Sequence, residues 1–163
     1  MNGYRMRHWS VRHARGLNLL YRIFQGVLNA LHPLFRRIGY QRLDQGFLKV
    51  EKLVKGFLFD SQSCGQCTLS YTGMSCPMNC PKHIRNGPCG GVRADGSCEV
   101  DPEMPCVWVA AWEGNRRMRQ NEQVVRLVLP PMDRRLQNTS AWLREVRNYH
   151  HYPELDPVES HVV

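Results

Sequence analysis

Apolar residues recur at helical spacing through the first third of the chain. Leu17, Leu20, Phe24, Val27 and Leu31 step by 3, 4, 3 and 4 ahead of Pro33. This predicts an amphipathic helix that ends or kinks near His32-Pro33. Leu19, Ile23 and Ala30 widen its apolar face, and Gly16 and Gly26 are mild breakers within it. A second stripe, Leu43, Phe47, Val50, Val54 and Phe57, steps by 4, 3, 4 and 3 and predicts a helix over 42–58. Lys49, Lys52 and Lys55 fall on or beside its wet face. Two such faces with little other core either pack on each other and on the C-terminal part, or wait for a partner.

Beyond Cys106 the run Val107-Trp-Val-Ala-Ala-Trp-Glu predicts a helix through Met118. Trp108 and Trp112 stand four apart on one face of it, and both are expected in the core. Val124 to Leu129 reads as a brief strand or extended run stopped by Pro130-Pro131. Thr139 or Ser140 is placed to cap a last helix from Ala141 to Val146. The tail from His150 is rich in proline and acid and reads as loose, with His150-His151 as polar surface. The expected fold is mainly α with an irregular, loop-rich, metal-binding cysteine core, a small α+β arrangement being the alternative. Its expected divisions are a basic extension with an amphipathic helix (1–40), a cysteine-rich domain with flanking helices (41–147) and a flexible tail (148–163).

Charge separates these parts. Residues 1–60 carry eleven Lys and Arg against Asp44, Glu51 and Asp60, so the whole net charge of +8 lies there. Residues 1–15 hold Arg and His with no acid, and they read as a basic surface tail, or in a eukaryote as a transit peptide. The cysteine-rich stretch has only Lys82, Arg85 and Arg93, countered by Asp95, Glu99, Asp101 and Glu103. A metal-dependent reader of nucleic acid would place its cations beside the metal, so no nucleic-acid partner is expected. No stretch approaches the ~20 apolar residues of a membrane span, and the expected location is cytoplasmic.

All seven cysteines fall within residues 64–106: Cys64-Gly-Gln-Cys67, Cys76-Pro-Met-Asn-Cys80-Pro81, Cys89, Cys98 and Cys106. A segment this rich in glycine and proline has too little apolar surface to offset its ordering entropy, so a covalent or coordinate tie is expected. An odd cysteine count, a CxxC pair and no apolar signal sequence argue against a disulfide framework and for metal. The CxxC turn suits zinc or iron–sulfur. A zinc ribbon repeats that knuckle, and here it does not recur. Cys76-x3-Cys80-Pro81 is instead like the end of a bacterial ferredoxin run. His83 stands three past Cys80 and would complete a Cys3His zinc site, although an exposed loop histidine is the plainer reading. The chain has no nucleophile–His–acid arrangement and no phosphate-binding glycine loop, so catalysis by this chain alone is not expected.

These motifs resemble a known family. Cys64-Gly-Gln-Cys67, Thr72-Gly-Met-Ser-Cys76-Pro-Met-Asn-Cys80-Pro-Lys82, Arg85-Asn-Gly-Pro-Cys-Gly-Gly-Val92, Gly96-Ser-Cys-Glu-Val-Asp101 and Cys106-Val-Trp108 are similar to the C-terminal-like domain of methylenetetrahydrofolate reductase. Leu129-Pro-Pro-Met-Asp133 and Asn138-Thr-Ser-Ala-Trp142 extend the match, which spans about residues 47–145 and leaves 1–40 outside. The family is the small cysteine-rich subunit that accompanies the catalytic barrel in acetogens and some other bacteria.

The resemblance implies a job and a partner. It implies docking on a TIM-barrel subunit whose flavin (FMN or FAD, in the partner alone) reduces methylenetetrahydrofolate to methyltetrahydrofolate. It also implies that Cys64, Cys67, Cys76, Cys80, Cys89, Cys98 and Cys106 bind metal, as a [4Fe-4S] cluster or as zinc. A cluster would relay electrons from an external donor to the flavin, whereas zinc would only stabilise the barrel. A zinc-dependent nucleic-acid binder is the remaining reading. One departure matters: relatives often carry a further cysteine where this chain has Ser61. Eight thiolates hold two four-iron clusters; seven need Ser61 or another donor, or hold one cluster, or one cluster with a Cys3His zinc at His83.

Overall fold

The computed structural model describes residues 3–118, 129 and 131–151. Its α-helices are α1 (Gly3–Arg12), α2 (Ala14–Ala30), α3 (His32–Ile38), α4 (Tyr40–Phe59), α5 (Val107–Arg117) and α6 (Ala141–Tyr149). The mainly α expectation is borne out, and the described residues contain no sheet. Residues 60–106 hold only a 3-10 turn at Pro77–Asn79 and two isolated bridges, Val92 with Cys98 and Ser97 with Pro105. The extended run expected over 124–128 and the tail beyond 151 lie outside the described residues.

The first breaks follow local chemistry. Pro33 sits in the first turn of α3, where its missing N–H has no helical partner to lose. Gly39, at φ +95°, turns the chain between α3 and α4 in a conformation that L side chains rarely adopt. Ser140 caps α6 by accepting from the Leu143 N–H at 3.3 Å, and that helix runs three residues past the expected Val146.

The basic arm is not a surface tail. Residues 3–12 form α1, in which Ser10 and Val11 are buried, as is Ala14 at the start of α2. The Ser10 hydroxyl donates to the Leu58 carbonyl at 2.6 Å, the Tyr4 hydroxyl donates to Asp101 at 3.0 Å, and Arg7 pairs with Asp60 at 3.5 Å. α1 thereby straps the end of α4 to the cysteine segment. Counting cations showed the charge of the arm but not the small apolar residues between them.

The buried face of α4 differs from the predicted stripe. Tyr40, Leu48, Glu51, Lys55 and Phe59 point inward, whereas Val50, Val54 and Phe57 are exposed. Lys55, expected near the wet face, is only 4% exposed. Its ammonium donates to Glu51 at 2.6 Å and lies over the Trp142 ring at 5.1 Å. Glu51 also accepts from the Ser140 hydroxyl at 2.9 Å, and Asp44 accepts the Ser140 N–H. A buried charge is tolerated only when paired in this way, so α4 joins α6 through ions as well as through apolar contact. Phe47 packs edge-on against Phe35, beside the Leu28, Phe35, Tyr40, Trp142, Leu143 and Val146 cluster.

On α5 the inward face is Val107, Ala111, Gly114 and Asn115. Trp108 is half-buried and donates to the Ile84 carbonyl at 3.2 Å. Trp112, also expected in the core, is 52% exposed because it stands off that face. Gly114 crosses Gly73 so closely that a Cβ on either would overlap the backbone of the other segment.

Two outcomes follow. Gly26→Ala meets nothing within 4 Å and should stabilise by about 1 kcal/mol as an ordinary helix substitution, whereas Gly114→Ala should destabilise by about 2 kcal/mol through the backbone clash. Lys55→Met should cost about 3–5 kcal/mol, because it leaves the Glu51 carboxylate buried without its partner. Urea midpoints of these three variants against the parent check both expectations.

Candidate metal centre

The cysteine segment leaves α4 at Asp60, whose backbone is left-handed (φ 51°). Ser61 donates its N–H to the Lys55 carbonyl at 3.2 Å. Cys64-Gly-Gln-Cys67 then seats against the Arg134–Leu136 turn. Gly65 is buried at φ +73°, and a Cβ there would strike the Leu136 carbonyl and Thr139 Oγ1. Only glycine lets the turn sit this close. The Asn138 N–H donates to the Ser63 carbonyl at 3.1 Å and holds the same junction.

Cys76 opens the Pro77–Asn79 turn and Cys80 closes it. Cys76 is buried with Phe59, Leu69, Met74, Ala14 and Met118, and Cys67 packs against that cluster. Burial pushes the Cys76 thiol up to about 11. The Gln62 and Met78 N–H groups act in the opposite direction, and Cys67 and Cys64 nearby raise it further. Cys64, Cys67 and Cys76 therefore form one neighbourhood.

Cys80 and Cys98 belong to a second, with Met104 and Val107. The Cys98 N–H donates to the Met104 carbonyl and the Cys106 N–H to the Gly96 carbonyl, both at 2.9 Å. Residues 96–98 and 104–106 thus run side by side, and Cys106 leads directly into α5 as its N-cap residue. Cys89 is exposed at the outer edge and accepts the Gly91 N–H at 3.4 Å. Lys82 pairs with Glu99 and feels both Cys89 and Cys98, and these interactions hold its ammonium above the usual lysine range. All seven cysteines are free thiols. Among the described residues no group of three or more Cys, His, Asp or Glu stands at metal-holding distance. His83 is exposed in a left-handed turn (φ 52°).

One contact to this region escaped the sequence reading. Burial alone would depress the Lys55 ammonium, but Cys67 and Glu51 beside it reverse the direction and raise it. Tyr21 also faces Cys67, and its phenol is raised chiefly by burial and then by that thiol. The i,i+4 spacing of Glu51 and Lys55 was visible, but their burial against a cysteine was not.

Residues 40–135 match the family described as methylene-tetrahydrofolate reductase C terminal. The chain belongs to that family. No curated protein and no solved structure matches the chain. The region matching this reductase C-terminal family starts at the first residue of α4 and takes in every cysteine and all of α5. Helices α1, α2, α3 and α6 lie outside it.

The donor set would suit a thiophilic metal in its chemistry: Cys64, Cys67 and Cys76 lie near one another and Cys80 packs with Cys98, with backbone N–H groups directed at Cys76 and Cys89. A metal taken up there would require the Cys76 proton to leave, because the thiolate is the ligating form. In the metal-free chain the raised Cys76 adds stability that is fully present below about pH 9 and lost as pH rises toward about 11. Urea unfolding across that interval should show the decline, and Cys76→Ala should flatten it.

Proposed function

We propose that this chain is a metal-bearing accessory subunit of a methylenetetrahydrofolate reductase, cytoplasmic and not catalytic alone. The observation that carries the reading is a seven-thiol segment inside a domain of the reductase C-terminal family, with Cys64, Cys67 and Cys76 near one another and Cys80 packed with Cys98. Cys64, Cys67 and Cys76 would hold metal on one side. Cys80, Cys98 and Cys106, with Cys89 at the edge, would hold it on the other. An iron–sulfur cluster, when bound, supplies a one-electron relay between an external donor and the flavin of the catalytic barrel.

This chain's own residues prepare that role. The Cys76 environment is apolar and excludes water, which favours transfer over loss to solvent. Lys55 brings a buried positive charge beside Cys67, which favours added negative charge in that neighbourhood. Lys82 does the same at the rim for Cys89 and Cys98.

The test is metal and sulfide analysis with a visible spectrum on protein purified without oxygen and co-expressed with the catalytic barrel. About four iron per chain with a band that bleaches on reduction supports the relay, and about eight means that Ser61 or another donor replaces the eighth thiolate. Colourless protein with zinc alone would overturn the relay and leave a structural clamp. Cys67→Ser and Cys80→Ser should each lose metal and open residues 61–106 to protease, because ligand loss is also loss of folding energy.

A further inference from the structure

α1 and α2 are separated by a single residue, His13. The helical ladder runs on through it: the His13 N–H donates to the Trp9 carbonyl at 3.0 Å, and the Leu17 N–H to the His13 carbonyl at 3.1 Å. The two helices therefore keep a common outer face, about 40 Å long at the helical rise. Trp9, Leu19, Ile23 and Val27 stand on that face and are 42%, 61%, 59% and 53% exposed. Arg5, Arg12, Arg15 and Arg22 stand among them and are exposed too. At about 100° per residue, all eight fall within less than half of the helix circumference. A Cβ at Gly16 or Gly26, in the same arc, meets nothing within 4 Å, so no described residue covers the face there. The face is a convex ridge. It is distinct from the groove of about 770 Å³ between α2 and α4, which none of these eight side chains lines.

Charge on the face itself names the occupant. The first acid of the chain is Asp44, so α1, α2 and α3 carry no carboxylate. No ion pair among the described residues engages Arg5, Arg12, Arg15 or Arg22. These arginines are interleaved with the large apolar side chains and not gathered on a patch of their own. A protein partner would have to bury each guanidinium against its own carboxylate. A second copy would bring like charges together. A bilayer surface demands neither. Its headgroups offer phosphate to extended guanidiniums, and the acyl boundary just beneath accepts aliphatic and indole side chains. Tryptophan favours that boundary.

We propose that the outer face of α1 and α2 docks in the plane of an anionic lipid bilayer. Trp9, Leu19, Ile23 and Val27 enter the acyl boundary, and Arg5, Arg12, Arg15 and Arg22 meet the lipid phosphates. Among the described residues no helix is long and apolar enough to cross a membrane, so the contact lies along the surface. Both helices stand outside the reductase-family match. The proposal goes beyond the accessory-subunit reading and does not depend on the metal.

The test is co-sedimentation of the full chain with vesicles of phosphatidylcholine alone, or with about a third phosphatidylserine. Binding should be at least ~10-fold tighter on the anionic vesicles, with the preference shrinking as salt rises. A chain of net charge +8 is drawn to such vesicles by charge alone, so the deciding variants carry the same charge change. Leu19→Asp and Ile23→Asp should each weaken binding by ~10-fold or more, with the circular dichroism unchanged because both side chains are exposed. Leu53→Asp, at a side chain of α4 that is 75% exposed and off the ridge, should leave binding near that of the parent. Arg12→Gln with Arg15→Gln should reduce the anionic preference. Equal binding to both vesicles, no binding to either, or an equal effect of the three aspartates would overturn the proposal. So would capture of the catalytic barrel that Ile23→Asp abolishes, since the face would then be the barrel's seat. Failure of the barrel to co-purify while anionic vesicles bind would count against the accessory-subunit reading and leave the lipid surface supported.

Discussion

The buried ion pair of Glu51 and Lys55 sets the orientation of α4, and much of the rest depends on that orientation. Two charges withdrawn from water must find each other and must satisfy their remaining donors and acceptors. Here Glu51 takes Lys55 and the Ser140 hydroxyl, and Lys55 reaches Trp142 and Cys67. The pair thus links α4, the cap of α6 and the first cysteine loop. With that face turned inward, Val50, Val54 and Phe57 are turned out, and the trough beside α2 is left open.

Around this joint the cysteine segment is held from outside more than from within. Residues 60–106 contain almost no regular structure, yet backbone crossings fix them: Gly73 on Gly114, and Gly65 on the Arg134–Leu136 turn. α1 adds the Tyr4–Asp101 and Arg7–Asp60 contacts. A loop placed by close backbone contact holds its thiols in place without regular secondary structure. The segment packs Cys76, Cys80, Cys98 and Cys106 into the interior as small apolar residues.

Helices outside the family's domain carry their own consequence. α2 and α3 bring cations and apolar side chains and no acid. The cysteine module itself is nearly balanced in charge. The net positive charge and the cysteines therefore lie in different parts of the same small chain.

The sequence by itself determined α2, α4, α5 and α6, the break near Pro33 and the family. Pro33 and the 3–4 spacing of leucines mark α2 and α4 because those signals are local, and Ser140 is a capping residue wherever a helix follows it. The cysteine spacing identified the family because ligand spacing is a local property of the chain. Only the tertiary structure decided which face of α4 is inside, that Lys55 is buried, that the basic arm packs as a helix and that Trp112 stays out. Periodicity registers apolar side chains, and a charge paired across 89 residues, as Glu51 is with Ser140, leaves no periodic trace. The grouping of the seven thiols is of the same kind, since it depends on which way a three-residue turn directs Cys76 and Cys80.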